Sequence, residues 1–409
     1  MRSLFVLVLF AVPAWAADPV ADSKTAVEAL KKELAAGTAP KDLAEKPFAA
    51  VPLTKSDSTT ARELLWKAHV ERITKDRAAE IKDRLLKLDK LEMPFFIKEY
   101  GAKPKVGHSL WISLHGGGGA PKQVNDGQYE NQKLLYKLEE GLYLAPRAPT
   151  NTWNLWHEGH IDTLFAQLIE DLIVLEGIDP DRVYVLGYSA GGDGVYQIAP
   201  RMADRLAAAA MMAGHPNDAS PLGLRNVPFA LQVGGNDSAY NRNKIAKEWG
   251  DKLDALQKDD PKGYEHFVKI HEGKGHWMNL EDKAALPWMA KFTRNPTPEK
   301  IVWKQSSRTH DASYWLGVPP GTAKGGTLIT AVRKGQSVDL TTVEGVEKIF
   351  VRFDDRMVDL EQPVTVTHKG KKVVDGHAVR TIGTLAKTLT EKGDSKLMFD
   401  AEVVVTIGK

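Results

Sequence analysis

Between about residues 93 and 295, strand-like runs rich in branched and aromatic residues alternate with amphipathic helical segments. This alternation predicts an α/β core whose mostly parallel sheet carries helices on both faces. Two flanking patterns complete the fold class. Charged helical text from 17 to 92 predicts a helical extension, and short strands separated by turn residues over 296–409 predict a small β-sandwich-like domain.

Taken in chain order, residues 1–16 have the pattern of a signal peptide: basic Arg2, the apolar run "LFVLVLFAV", and the small-x-small site Ala14-Trp15-Ala16. The apolar stretch of ~14 residues falls short of the ~20 a bilayer requires, so cleavage is expected and no stable membrane span afterwards. A secreted or periplasmic location follows. Cysteine is absent, so stability outside the cell must come from core size rather than disulfides. Formal charge is +2, from 55 basic and 53 acidic residues without a long single-sign block, which argues against a nucleic-acid partner.

In the helical extension, Thr60 with Glu63 three residues on forms a capping-box pattern. Trp66, Val70, Ile73, Ile81, Leu85 and Leu88 follow mostly at spacings of three and four, predicting a helix that packs one face on its own domain. The core then offers strands at "EMPFFIKEYG", "HSLWISLHG", "GLYLAPR", "RVYVLGYS", "AAAAMMAG", "PFALQVGG" and "HFVKIHEG". Helices are expected at "IDTLFAQLIEDLIVLEG", stopped by Gly177, and at "GVYQIAPRMA". The last zone reads as strands from "KIVWKQ" to "AEVVVTI", interrupted by one helix near "TIGTLAKTLTEKG".

Gly187-Tyr188-Ser189-Ala190-Gly191 joins a buried strand to a helix. A serine on so sharp a turn requires small residues two before and two after, because side chains there would strike the neighbouring strand and helix. A serine hydroxyl is a weak nucleophile at neutral pH and requires a base, which in turn requires an orienting acid. Strand-end positions in the order Ser, Asp, His are filled by Ser189, Asp237 and His276. The rivals His266 and His271 fall within a strand pattern, where packed histidines are expected. The four glycines after His115 are the expected source of backbone amides for a developing oxyanion, with the Ala190 amide as second donor.

"LHGGGG", "GYSAGG", "GGND" and "GKGHW", in this order, resemble the α/β-hydrolase superfamily. Within it the likeness is to secreted esterase and depolymerase-like serine hydrolases, related to prolyl-oligopeptidase-type catalytic domains. It covers about 93–295. The resemblance implies an α/β-hydrolase core with Ser189 as nucleophile, His276 as general base and then acid, Asp237 as its partner, and Gly117, Gly118 and Ala190 as oxyanion donors. The glycine run is one longer than the family's HGGG type, leaving open which of Gly117 to Gly119 points inward. Neither flanking region carries a motif of that family.

Trp153, Trp156 and His157, in an aromatic-rich loop, are candidates for lining the substrate pocket, as are Tyr188 beside the nucleophile and His215 at a strand end. The histidines of "HEGH", His157 and His160, are three apart rather than the four of a zinc-binding helix, so no metal site is expected, and no cofactor. Asn125, Asp126, Tyr240, Asn241 and Arg242 lie in polar loops near the motifs. Asp354, Asp355 and Arg356 read as surface charges. The expected activity is hydrolysis of small-molecule or polymer carboxylic esters through an acyl-enzyme. A serine peptidase remains an alternative, as does a non-catalytic protein binding polysaccharide or a cell surface, a role the C-terminal domain is also a candidate for.

Overall fold

The computed structural model describes residues 19–407. The candidate leader, residues 1–16, lies outside them. The central sheet has eight strands: β1 (Leu85–Leu88), β2 (Leu91–Tyr100), β3 (His108–Leu114), β4 (Gly141–Pro146), β5 (Ile178–Tyr188), β6 (Ala208–Met212), β7 (Phe229–Gly234) and β8 (His266–His271). Their spatial order is β1-β2-β4-β3-β5-β6-β7-β8. The pairs from β4 through β8 are parallel, whereas β1–β2 and β2–β4 are antiparallel.

Six helices and one short helix accompany this sheet or precede it: α1 (Pro19–Ala35), α2 (Lys55–Asp83), α3 (Lys122–Leu135), α4 (Gly159–Leu175), α5 (Ala190–Arg201), α6 (Arg242–Asp259) and α7 (Ala285–Met289). The two-residue period of the strands sorts their side chains. Leu110, Ile112, Val183 and Val185 join an apolar cluster with residues of α4, α5 and α6. Trp111, Tyr184 and Leu186 point the other way, toward Tyr136 and α7. With both faces covered, the sheet has the α/β-hydrolase architecture, and its parallel strands send their carboxyl ends to one edge.

After residue 295 come β9 (Lys300–Lys304), β10 (Ala312–Ser313), β11 (Leu316–Gly317), β12 (Leu328–Lys334), β13 (Ser337–Glu344), β14 (Lys348–Phe353), β15 (Val364–His368), β16 (Lys371–Gly376), α8 (Ile382–Lys392) and β17 (Ala401–Thr406). They form a five-stranded sheet, β16-β15-β13-β12-β9, and a four-stranded one, β10-β11-β14-β17. Ile329, Leu340, Val366, Ile349, Val351 and Val405 from the two sheets share the large apolar cluster of the core.

Three local readings are corrected. The long helix begins at Lys55, capped by Thr54, whose hydroxyl accepts the Asp57 N–H at 3.1 Å. The same Thr-x-x-acid pattern recurs at Thr60, but there the hydroxyl donates to the Ser56 carbonyl inside the helix. Residues 85–88 are a strand, not the end of the helix. Arg84 takes a left-handed conformation (φ 56°) that stops α2, and Asp89 (φ 52°) turns β1 back onto β2. Hence part of the 17–92 stretch belongs to the main sheet, and the 92/93 division falls within β2. Asp354 is buried rather than superficial, accepting the Arg356 N–H and pairing with its guanidinium, while Asp355 pairs with Arg380.

No helix among the described residues is long and apolar enough to cross a membrane.

Candidate active site

Ser189 sits between β5 and α5 with φ 57° and ψ −120°, a conformation that strains a residue bearing a side chain. Its surroundings enforce the turn. A Cβ on Gly187 would run into the Gly191 carbonyl, and one on Gly191 into that of Leu114. The Ser189 N–H donates to the Met212 carbonyl at 2.9 Å, and its own carbonyl accepts the Asp193 N–H at 3.0 Å. The elbow is thereby tied to the adjacent strand and to the first turn of α5.

Two loops at the ends of β7 and β8 bring Asp237 and His276 together. Gly235 N–H donates to the His271 carbonyl and Asn236 N–H to that of Lys274, each at 2.8 Å. Gly234 permits the crossing, since a Cβ there would strike the Gly275 carbonyl. Within this lacing, His276 Nδ1 lies 2.8 Å from Asp237 Oδ2 and His276 Nε2 lies 2.9 Å from Ser189 Oγ. Asp237 is buried, so its charge is weakly screened. With the Nδ1–H donating a hydrogen bond to the Asp237 carboxylate, Nε2 is free to accept the serine proton. Arg242 Nη1 stands 3.8 Å from the other Asp237 oxygen.

Tyr188 is a positioning residue for this loop. Its hydroxyl donates to the His276 carbonyl at 2.6 Å and accepts the Met278 N–H at 3.1 Å, fixing the backbone on both sides of the imidazole. Its ring also borders the cleft. The rival histidines are engaged elsewhere. His271 is buried against Gln232, and His266 bonds the Tyr264 carbonyl and Asp254.

The glycine loop approaches Ser189 closely, a Cβ on Gly116 falling 3.3 Å from Ser189 Cβ. Gly117 and Gly118 both have φ near +107°, which favours glycine (108° and 106°). Gly118 cannot serve as an oxyanion donor as expected, because its N–H already donates to Asn125 Oδ1 at 2.9 Å. Asn125 is fully buried and returns hydrogen bonds from Nδ2 to the carbonyls of Gly118 and Ala120 and to Asn151 Oδ1. It clamps the loop rather than touching substrate. Asp126 is likewise engaged, by Lys122 and Arg147. Gly117 borders the cleft on both sides of Ser189, and Ala190 borders it on one.

His115 anchors the same loop. Burial pushes its imidazole down to about 4, so it is neutral at pH 7, with Nδ1 against the Gly116 carbonyl and Nε2 accepting the Ala148 N–H. Trp156 is 0% exposed and donates from Nε1 to the His115 carbonyl at 2.9 Å. Its expected place in the pocket is therefore corrected: it supports the loop from below, under Gly194, which has no room for a Cβ.

Two clefts meet at Ser189. One, about 730 Å³, is walled by Val124, Leu134, Leu135, Tyr188, Trp277 and Leu280, with Gln128 and Asn131 at its polar margin. Leu134 is 79% and Trp277 50% exposed, large apolar surface held at the mouth. The other, about 340 Å³, is bordered by Trp153, Asp193, His215, Asn217, Tyr240 and Arg242. Trp153 is 63% exposed and packs edge-on against His157, which stands behind it and does not border either cleft. Burial pushes the Asp193 carboxyl up to about 6, and its Oδ1 accepts the His215 N–H at 2.6 Å.

Asp193, Leu134 and Trp277 were not singled out in the sequence, though two carried signals. Asp193 lies four residues after Ser189, one helical turn into α5, and Trp277 directly follows His276. Leu134 carried none: the stretch around Asn125 and Asp126, expected as a polar loop, is instead helix α3, and its last turn leaves Leu134 exposed. Among the described residues, no group of three or more His, Asp or Glu side chains could hold a metal ion.

No protein-family model matches the chain. Over 140 residues, a third of its length, it is 30% identical to a bifunctional acetylxylan esterase/xylanase of Neocallimastix patriciarum, of which it spans one fifth (33% and 20%). Among solved structures it is similar to a thermostable esterase, at 18% identity and a TM-score of 0.43 over 52% of this chain and 64% of that one. It is also similar to the poly(3-hydroxybutyrate) depolymerase LpqC of Bordetella parapertussis, at 14% identity and a TM-score of 0.41 over 56% and 95% of the two chains.

Proposed function

We propose that this chain, an α/β-hydrolase by its fold, is an exported serine hydrolase that cleaves carboxylic esters through an acyl-enzyme at Ser189. The observation that carries the reading is the unbroken line from Ser189 Oγ through the His276 imidazole to buried Asp237, at 2.9 and 2.8 Å, on a strained elbow facing two clefts.

In this reading His276 Nε2 takes the serine proton as Oγ attacks the ester carbonyl, and Asp237 stabilises the imidazolium that forms. Charge on the carbonyl oxygen is received by the N–H groups of Gly117 and Ala190, the Gly118 amide being spent on Asn125. His276 then gives its proton to the leaving alkoxide. Water, activated by the same imidazole, releases the acyl group and restores Ser189. The apolar cleft beside Leu134 and Trp277 takes the acyl portion, and the polar cleft beside Trp153, Tyr240 and Arg242 takes the alcohol. The leader pattern at 1–16 supports export.

The test pairs labelling by a fluorophosphonate with assays on aryl esters and peptide anilides. Labelling and ester turnover that both vanish in Ser189→Ala support the reading. Turnover of anilides in preference to esters would instead make the chain a peptidase, and failure to label would make it a binding protein.

A further inference from the structure

Ion pairs fasten the C-terminal segment to the sheet core, and they leave one buried cation out. His310 Nε2 meets Asp162 Oδ2 at 2.8 Å, and Lys392 Nζ meets Asp204 Oδ2 at 2.6 Å. Each acid has a further donor: Arg201 takes the other oxygen of Asp162, whereas the Tyr314 N–H shares Asp204 Oδ2 with Lys392. Arg205, one residue on from Asp204, is only 8% exposed, yet its guanidinium has no hydrogen-bond or ion-pair partner among the described residues.

Arg205 lines a cleft of about 530 Å³ between the core and the C-terminal segment. Across it stands Arg308, whose side chain is also without a partner among the described residues and passes over Gly159, its Cδ 3.6 Å from where a Cβ would sit. Gly159 is the first residue of the 17-residue α4, so the positive end of that helix borders the same space. The one remaining acid on the wall, Glu391, is occupied by Arg352 at 2.7 Å. Asp204 attracts the Arg205 charge without hydrogen-bonding it, which leaves the guanidinium's planar fork free at the cleft, and that fork matches the oxygens of a phosphate or carboxylate.

We propose that this cleft is a binding site for a small oxyanion, a phosphate or carboxylate group on a body up to the size of a monosaccharide, gripped by Arg205 of the core and Arg308 of the C-terminal segment. Occupied, it would pin the two parts of the molecule to each other. It is separate from the Ser189 clefts and independent of the reaction proposed for them: it shares no lining residue with either.

The experiment is calorimetric titration of the full chain at fixed ionic strength with sodium phosphate, with sodium galacturonate, and with galactose as the uncharged control. The expected result is saturable one-to-one binding of at least one anion and none of galactose, weakened at least ~10-fold in Arg205→Met and in Arg308→Ala and unchanged in Ser189→Ala. Binding of phosphate alone assigns a phosphoryl ligand, and binding of galacturonate alone an acidic sugar. The melting temperature of Arg205→Met without anion, set against the parent's, checks that this variant is folded. Arg308→Ala, at the cleft rim, tests the site without touching the core. Absence of binding by either anion, or undiminished binding in both variants, overturns the proposal.

Discussion

The two clefts that share Ser189 differ in kind. One is walled by leucines and a half-exposed tryptophan, the other by a carboxylate, a guanidinium, an imidazole and two exposed rings. A relay of serine, histidine and aspartate has no preference between the halves of an ester; walls of such unequal polarity do. On the proposed reading, selectivity is carried by α3 and the His276 loop on one side, and by the 153 and 240 loops on the other. The chemistry is carried by neither.

Removing the shared element should silence both sides at once. Ser189→Ala is expected to lower kcat/KM by at least ~10⁴ on every ester, with an unchanged circular dichroism spectrum. A residue behind the shared element should act on kcat alone. Asn125→Ala frees the Gly118 amide and slackens the loop that presents Gly117, so a loss of ~10² in kcat with little change in KM is expected from steady-state kinetics. The walls should then separate. Leu134→Ala with Trp277→Ala should cost ~10-fold in kcat/KM on long-chain acyl esters and almost nothing on acetates. Trp153→Ala with Tyr240→Ala should instead discriminate among alcohols at constant acyl group. If both pairs shift the same substrates, the division of labour is wrong.

The smallest effect concerns stability. Asp193 is held near 6 by burial, above the ordinary carboxylate value, so between about pH 4 and 6 the folded chain keeps a proton that the unfolded chain has released. Stability therefore falls as pH rises through that window and levels off above it. Asp193→Asn should abolish the fall, adding up to ~2 kcal/mol at pH 8 and nothing at pH 3.5 in urea unfolding.

What could be read from the chain alone followed how local the determinant was. Gly187 and Gly191 flank Ser189 for steric reasons that operate within five residues, and the strand patterns placed Asp237 and His276 at strand ends. Residues 85–88 misled because "LLKL" satisfies the helical period and the strand period alike. Only the left-handed Arg84 and the pairing with β2 decide between them. Trp156 and Gly118 depended on distant partners: an indole three residues from an exposed one is buried because the His115 carbonyl waits beneath it, and a glycine amide is consumed by an asparagine seven residues on. Asn125 was noticed as polar and near the loop, but sequence alone could not tell a clamp from a substrate contact.

The helices at the start of the chain do not complete a core with their sequence neighbours. Leu30, Leu53, Ala61 and Leu65 pack with Ile382, Leu385, Leu389 and Met398, and Ser58 Oγ donates to Asp400 across 342 positions at 2.6 Å. During synthesis residues 26–65 must wait for partners made roughly 300 residues later, so this part of the molecule cannot form in the order in which it is made. Loop closure over such a span is slow, and until it happens the apolar stripe of α1 and α2 stays uncovered. Removing α8 and β17 should therefore be felt first at the opposite end of the polypeptide, as protease cleavage within residues 19–65.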